Sequence, residues 1–208
     1  MNLKRMLGDL TKEKAPGPMP SFQVFHVIKA LELIAQSPLG RGTLAKKLAI
    51  GDGATRTLIE RLKDEEIIYT TKSGCFLTKK GEELWKQVKN VLPSKTELEK
   101  SKLTLSKCNV AILVRGKRGK VKLGVEQRDA ALLAGAKGAT TLVMKNGKLV
   151  MPSVDVDIRE DSSEIQKKIM NSLKPNEGDV IIIGSADSHE KAEYGAIAAA
   201  WTLLNNEY

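Results

Sequence analysis

Residues 54–66 constrain the fold most, because their apolar side chains recur at the spacing of an amphipathic helix. Five residues share one face, and the first four of them can pack on neighbouring helices: Thr55, Leu58, Ile59, Leu62 and Glu66. The opposite face presents a polar and basic set, namely Ala54, Arg56, Thr57, Glu60 and Arg61. The segment therefore predicts a helix that is buried along one side and offers its other side to a partner.

Shorter elements surround this helix. Gly51-Asp52-Gly53 predicts a tight turn before it, and Lys72-Ser73-Gly74 predicts the turn of a later hairpin. In chain order, the predicted elements are a helix capped by Ser21 and ending near Gln36, a helix over 43–49, the helix over 54–66, strands over 67–71 and 75–78, and a helix over 79–91. Three helices followed by a hairpin of this length predict a winged helix-turn-helix, a mainly α domain with a β-hairpin wing.

A helix with this polar face suits the major groove of DNA, which is about 12 Å wide. Arg56 can bond guanine, and Lys72 at the hairpin tip can meet the phosphate backbone. The residues expected at the DNA are Thr43, Lys46, Gly53, Ala54, Arg56, Thr57, Arg61 and Lys72. The acidic residues Glu60 and 64–66 favour an ordinary helical domain with a solvated face instead. However, residues 64–66 lie at the C-terminal end of the helix, whereas the groove receives its N-terminal half.

Three stretches of the sequence resemble prokaryotic winged-helix regulators. Residues 53–62 look like the recognition helix, Ile67-Ile68 like the first wing strand, and residues 76–81 like the "L-T-x-x-G" start of the next helix. The whole layout is similar to a group of archaeal regulators with a C-terminal domain of unknown function. The resemblance implies sequence-specific DNA contacts from Arg56, Thr57 and Arg61. The chain departs from it at Glu65-Glu66, because many relatives have glycine before the pair that matches Ile67-Ile68, and this bears on where the helix ends.

Net charge and cysteine content limit the kinds of partner and the cellular compartment that the sequence predicts. The net charge is +9, and residues 1–103 carry 19 Lys and Arg against 12 Asp and Glu, compared with 15 against 13 in residues 104–208. A basic half beside a nearly neutral half predicts a polyanionic partner for the first, although lysines can also serve solubility alone. Two isolated cysteines, no metal-ligand spacing, no signal peptide and no apolar run of about 20 residues predict a reduced, cytoplasmic protein without membrane, metal or cofactor.

The predicted domain order is an N-terminal extension over 1–20 with an extended lead-in over 15–20, a winged helix over 21–93, a linker over 94–107 and a second domain over 108–208. The second domain alternates strands and helices, which predicts a two-layer α+β fold. Its expected strands are 110–114, 121–123, 140–145, 148–151 and 180–183, and its expected helices are 124–134, 162–173 and 188–205. Asn146-Gly147 is the hairpin turn between the middle strands.

The loop after the last predicted strand is the candidate ligand site of the second domain. Gly184, Ser185, Asp187 and Ser188 follow a buried strand and open a helix, where anions commonly bind. The counter-charge for the anion would come from Arg128 or Lys137. The competing interpretations are that Asp187 only caps its helix and that Arg128 only forms a surface pair with Asp129.

Three functions from different classes fit these observations. The first is a transcriptional regulator that binds double-stranded DNA as a homodimer, with a second domain that dimerises, senses a small anionic ligand, or does both. The second is an RNA-binding or ribosome-associated protein, against which the low aromatic content argues mildly. The third, an enzyme with an accessory winged helix, lacks any catalytic constellation in the sequence, so we expect no enzyme activity.

Overall fold

The computed structural model describes residues 3–13, 19–152 and 163–204. The chain divides into two compact units, an N-terminal unit (Met1–Val88) and a C-terminal unit (Lys89–Tyr208). The helices and strands that begin in the N-terminal unit are α1 (Leu3–Asp9), α2 (Val24–Gln36), α3 (Arg41–Leu48), α4 (Asp52–Asp64), β1 (Ile68–Thr71), β2 (Gly74–Leu77) and α5 (Lys79–Val91). Helix, short helix, helix, hairpin and helix follow one another as the sequence predicts.

The hairpin β1–β2 is a two-residue turn between antiparallel strands. Thr71 pairs with Gly74, so Lys72 and Ser73 form the tip. Gly74 has a φ of +133°, and a Cβ atom there would lie 2.8 Å from the carbonyl carbon of Leu39. The amide of Cys75 donates to the carbonyl oxygen of Leu39 at 2.9 Å, so Leu39 forms an isolated antiparallel β-bridge with strand β2. This contact fixes the hairpin beside the segment that leads into α3.

The predicted N-terminal extension contains a helix that sequence periodicity did not reveal. Leu7 of α1 and Leu10 just after it are buried. An exposed lead-in would leave such side chains in water, and their burial instead adds apolar area to the core of the N-terminal unit. Most of the extended lead-in predicted for residues 15–20 lies outside the described residues.

The start of α2 differs from the prediction, because Gln23 rather than Ser21 is its N-cap. The backbone amide of Gln23 donates to Nδ1 of His26 at 2.9 Å, so the imidazole of the first turn satisfies an amide near the helix start. Burial lowers the pKa of His26 from 6.5 to about 4. His26 is therefore neutral at pH 7 and accepts this bond.

We expect the N-terminal unit to lose stability on mild acidification. Between pH 6.5 and about 4 the unfolded chain binds a proton at His26 that the folded chain does not, so the stabilisation is complete above this range and falls as the pH drops. The expected loss from about pH 7 to about pH 5 is about 1–2 kcal/mol, measured by urea unfolding. His26→Asn should remove most of the dependence, whereas His189→Gln, which replaces the other of the two histidines, should retain it.

Helix α4 is displaced toward the N-terminus from its predicted position. Gly51 is the N-cap and Asp52 begins the helix, so the expected turn over 51–53 is wrong and Gly53 lies within α4. An acidic residue in the first turn is favoured there by the helix dipole. The helix ends at Asp64, and Glu66 follows with a left-handed φ of 54° while the amide of Ile67 donates to the carbonyl of Leu62. Glycine adopts this conformation most easily, which accounts for its preference before the Ile67-Ile68 position.

The C-terminal unit holds a five-stranded antiparallel sheet in the order β3-β4-β7-β5-β6. Its elements are β3 (Lys95–Leu98), β4 (Cys108–Val114), a 3-10 turn (Arg118–Lys120), α6 (Val125–Leu133), β5 (Gly138–Lys145), β6 (Lys148–Val150), α7 (Ser163–Leu173), β7 (Val180–Ala186) and α8 (His189–Thr202). The predicted strand over 121–123 is not formed, because the chain turns at 118–120 instead. The predicted helix start at Ser162 lies outside the described residues, whereas the last helix ends at Thr202, before its predicted end at Asn205.

Strand β3 lies in the segment predicted to be a linker. It is an edge strand that pairs with β4, and three of its four side chains are at least partly exposed. Leu98 is buried in the core and Lys95 forms an ion pair with Glu193 of α8. Polar side chains are normal on an edge strand, so composition alone could not separate it from a linker.

The sheet is covered on both faces, one layer more than the predicted two-layer fold. Ile165, Ile169 and Leu173 of α7 pack with Leu113 and Ile183 on one face. On the other face α8 lies directly over β7, since a Cβ atom at Gly184 would lie 2.2 Å from the carbonyl oxygen of Ala192. Helix α6 packs beside α8 on that face. The α+β class is confirmed, and the added layer explains why every residue of β7 is buried.

Candidate nucleic-acid interface

The exposed side of α4 borders a groove of about 430 Å³ in the N-terminal unit. The hairpin tip and the start of α3 close its other sides. The cationic side chains that line the groove are Arg41, Arg56, Lys63 and Lys72, and the acidic one is Glu60. Four cations against one anion make this a positive groove bounded by a helix and a wing. A groove of this sign attracts phosphates.

Two ion pairs hold cations of the groove in the free protein. Arg56 Nε lies 3.3 Å from Glu60 Oε1, and Arg41 Nε lies 3.1 Å from Asp52 Oδ1. More than half of each of these four side chains is exposed, so water screens both pairs and each is worth little. A phosphate or a guanine can therefore displace the carboxylates at small cost.

The wing tip is ordered by its own side chains. The hydroxyl oxygens of Thr71 and Ser73 lie 2.8 Å apart, and the amide of Ser73 donates to the Thr71 hydroxyl at 3.1 Å. Lys72 lies between them and is exposed. Because side-chain bonds already hold this turn, Lys72 loses only its own rotamer freedom on contacting a ligand.

The structure brings together only part of the predicted DNA-binding set. Arg56 and Lys72 line the same groove, as expected. The others, apart from Arg61, do not line it: Thr43, Lys46 and Gly53 are exposed on α3 and α4, and Ala54 and Thr57 are half-buried. Two cations of the groove were missed, although Lys63 lies seven residues after Arg56 and thus on the same helix face. Arg41 is the first residue of α3, where the sequence offered no comparable signal.

The prediction for Arg61 is wrong. Its side chain is buried, and Nη1 donates to the carbonyl oxygens of Leu10 at 2.8 Å and Lys12 at 2.6 Å. The guanidinium also lies 5.7 Å from the ring centroid of Phe22. Arg61 therefore ties the N-terminal segment to α4, and DNA cannot reach it without breaking these bonds. Sequence spacing placed it beside Thr57, but could not reveal that the chain before α2 returns to cover that edge of the helix.

Removing the Arg61 side chain should affect stability rather than base preference. We expect Arg61→Ala to destabilise the N-terminal unit by about 2–3 kcal/mol, because one buried and one partly buried hydrogen bond from a charged donor are lost. Arg61→Lys keeps one donor and should lose less. Urea unfolding measures the stability, and binding to a panel of duplexes measures the preference. An altered base preference with unchanged stability would restore Arg61 to the DNA contacts.

The loop predicted to bind an anion in the C-terminal unit is filled by the protein itself. Ser185 is fully buried, and its hydroxyl accepts the amide of Leu105 at 3.0 Å. Gly184 lies under α8, so the small side chain admits a helix rather than a ligand. These two residues are therefore occupied by the protein's own contacts, and their assignment to the anion is wrong.

The other residues of that predicted site have partners on the protein. Asp187 lies 3.3 Å from Lys137 Nζ and accepts from the Ser106 hydroxyl at 3.1 Å, and the hydrogen bond from Lys137, followed by that from Ser106, lowers its pKa. Ser188, not Asp187, caps α8 by accepting the amide of Lys191. Arg128 is paired with Asp129 at 3.0 Å on the surface of α6.

The N-terminal unit has the fold of a winged helix-turn-helix, with a basic groove beside α4 and the wing. Residues 22–92 match the family described as the CggR N-terminal DNA binding domain, and residues 105–203 match the domain of unknown function DUF4443. The chain is also similar to the solved structure of hypothetical protein PH0730 from Pyrococcus horikoshii OT3, with a TM-score of 0.71 and 29% identity, over 88% of this chain and 93% of that one. No curated protein matches.

These matches confirm the predicted architecture, a winged-helix regulator type with a C-terminal domain of unknown function. Among the described residues, no helix is long and apolar enough to cross a membrane. Within the same ranges, no group of three or more His, Cys, Asp and Glu side chains is placed to hold a metal ion.

Proposed function

We propose that this protein regulates transcription by binding double-stranded DNA in the groove between α4 and the wing. The observation that carries the proposal is the convergence of Arg41, Arg56, Lys63 and Lys72 on one groove, within a segment that matches a DNA-binding domain. In this proposal the protein acts in the cytoplasm. The protein acts by binding and not as an enzyme.

The roles of the groove residues follow from where they lie on the elements. Arg56 is in the N-terminal half of α4, the part of a recognition helix that contacts base edges, and its guanidinium can bond guanine twice. Glu60, one turn later, can accept from the amino group of cytosine. Lys72 at the wing tip and Arg41 at the start of α3 line the same groove, where they can contact phosphates of the DNA backbone.

Two copies of the chain bind one operator in this proposal. A two-fold dimer doubles the phosphate contacts and reads a roughly palindromic site. The single winged helix of one chain offers few base contacts. A dimer doubles their number and so raises the affinity for a specific site. The second, α+β domain is the natural place for the contact between copies, because the DNA groove lies in the first.

Replacing Arg56 and Lys72 by alanine should separate base recognition from phosphate contact. Arg56→Ala should weaken the preferred duplex by about 1–3 kcal/mol, or about 5- to 150-fold, and relax base preference. Lys72→Ala should weaken all duplexes about equally and lower the salt slope of log K by about 1. Lys86→Ala, an exposed cation of α5 that does not line the groove, is the matched control.

The ligand for this experiment is obtained by selecting bound sequences from random duplex DNA. Affinities are then measured from about 50 to about 200 mM salt, with structured RNA in parallel at each concentration. Tighter binding of RNA than of any selected duplex would favour the ribosome-associated or RNA-binding alternative. Salt-insensitive binding, or a Lys86→Ala effect as large as that of Arg56→Ala, would contradict the assigned groove.

A further inference from the structure

The exposed apolar side chains of the protein are concentrated around one helix. Among the described residues eight large apolar side chains are exposed, and five of them lie on α6 or in the segments beside it: Leu105, Leu123, Val125, Leu132 and Leu133. Single exposed apolar residues are ordinary, whereas a contiguous group marks an interaction surface. Leu133 is 91% exposed, which is the largest value of the group.

Leu105 belongs to this surface although it comes from the segment after β3. The position of a Cβ atom at Gly138 would lie 2.8 Å from Leu105 Cδ1 and 3.8 Å from Arg128 Cγ. The Leu105 and Arg128 side chains therefore both border Gly138. The surface thus continues from α6 onto the neighbouring loop.

One face of α6 is already used inside the protein. Gln127 and Ala131 are buried, and Gln127 Nε2 donates to the Thr202 hydroxyl of α8 at 2.6 Å. The opposite face contains Val125, Arg128, Asp129 and Leu132, which recur at helical spacing and are all exposed. Arg128 and Asp129 pair only with each other in the structure as described. These four residues define the α6 face. Two of them are large apolar side chains, whereas the solvent-exposed face of a helix normally carries polar ones.

The order of residues on the α6 face makes it complementary to a reversed copy of itself. A two-fold axis midway between residues 128 and 129 brings Val125 of one chain opposite Leu132 of the other. The same operation brings Arg128 within reach of the second chain's Asp129. Apolar groups then meet apolar groups and each charge meets its opposite, which is the requirement of an isologous contact. A ligand or an unrelated partner would give no reason for this symmetric order.

We infer that the α6 face, with Leu105, Leu123 and Leu133 around it, is the surface on which two copies of this chain associate. The inference deepens the proposed function, because it names where the homodimer forms. Antiparallel packing of two α6 helices buries the exposed apolar side chains and lets the Arg128–Asp129 pair within each chain exchange for two pairs between chains. The exchange conserves the number of ion pairs, so the favourable contribution comes from apolar burial and the charges set the orientation.

The test reverses one of the two charges at the centre of the α6 face, either Arg128 or Asp129. Arg128→Asp makes the centre of the face wholly acidic, and Asp129→Arg makes it wholly basic. Each variant alone should dimerise at least about tenfold more weakly than the unchanged chain, because like charges face one another. Mixing the two variants should restore a dimer that contains one copy of each, measured by sedimentation and by mass photometry of the full chain without DNA.

Matched charge reversals on α7 control for net charge alone. Glu164→Arg and Lys168→Asp are exposed and lie away from α6, so both should dimerise like the unchanged chain. A chain that stays monomeric up to about 100 μM would overturn the inference. So would single variants that dimerise normally, or a mixture that does not pair. Because DNA is absent, failure here is distinct from failure of the proposed function, which is judged by binding of a half-site to the groove of α4.

Discussion

Gly184→Ala is expected to destabilise the C-terminal unit by about 3 kcal/mol or more, toward the upper end of what overpacking costs. An alanine Cβ would lie 2.2 Å from the carbonyl oxygen of Ala192 and 2.7 Å from the amide nitrogen of Ala196. Both atoms belong to the backbone of α8, so no side chain can rotate away. The helix must lift from the sheet, which exposes the apolar surface that it buries against β4 and β7.

Thermal and urea unfolding of the C-terminal unit measure this effect. Trp201 lies in α8 and reports on that unit when Trp85, the other tryptophan, is replaced by phenylalanine. Gly119→Ala is the matched control, because nothing lies within 4 Å of its added Cβ and its φ is not left-handed. We expect that control to stay close to the parent. Equal midpoints for the two alanine variants would mean that α8 does not rest on Gly184.

Local patterns predicted the elements whose causes are local. The Asn146-Gly147 turn has left-handed φ values of 54° and 74° at its two residues, and Lys145 pairs with Lys148 across it. Such a turn requires residues that tolerate this conformation, so the dipeptide alone sufficed. The buried face of α4 likewise followed from spacing, since Thr55, Leu58 and Leu62 are all fully buried.

Features that depend on contacts between distant parts of the chain could not be predicted from the sequence. Arg61 bonds to carbonyl groups about fifty residues earlier, and no periodicity encodes that return. The same holds for Gly184, because a small residue after a buried strand permits close approach by a ligand or by a helix equally well. Only the position of α8 decides between the two. Two of the four cations of the basic groove were predicted, because the positions of Arg56 and Lys72 follow from the helix and the hairpin. The placement of Arg41 instead depends on tertiary packing.

Gly81→Ala should have a comparably large effect on the N-terminal unit. An added Cβ would lie 2.1 Å from the carbonyl oxygen of Ile67, which is closer than two non-bonded atoms can approach. Thr78 leaves that carbonyl little freedom to move. Its amide donates to Ile67 O at 3.0 Å, and its hydroxyl donates to Glu66 O at 2.6 Å while accepting the amide of Gly81 at 3.1 Å. The Leu-Thr-x-x-Gly pattern therefore has a structural cause: threonine caps α5, and glycine lets α5 rest on the chain that enters the wing.

We expect Gly81→Ala to lower the free energy of unfolding by about 3 kcal/mol or more, because backbone must move to relieve the overlap. Gly42→Ala provides the matched control: it lies within α3, nothing is within 4 Å of its added Cβ, and alanine there should be neutral or stabilising by up to about 1 kcal/mol. Unfolding followed by Trp85 fluorescence, with Trp201 replaced by phenylalanine in every variant, compares the two. DNA binding by Gly81→Ala should fall in step with the folded fraction and return to the parental affinity per folded molecule on cooling or in stabilising osmolyte. If its stability matched that of Gly42→Ala while DNA binding was lost, Gly81 would instead be a residue of the DNA interface.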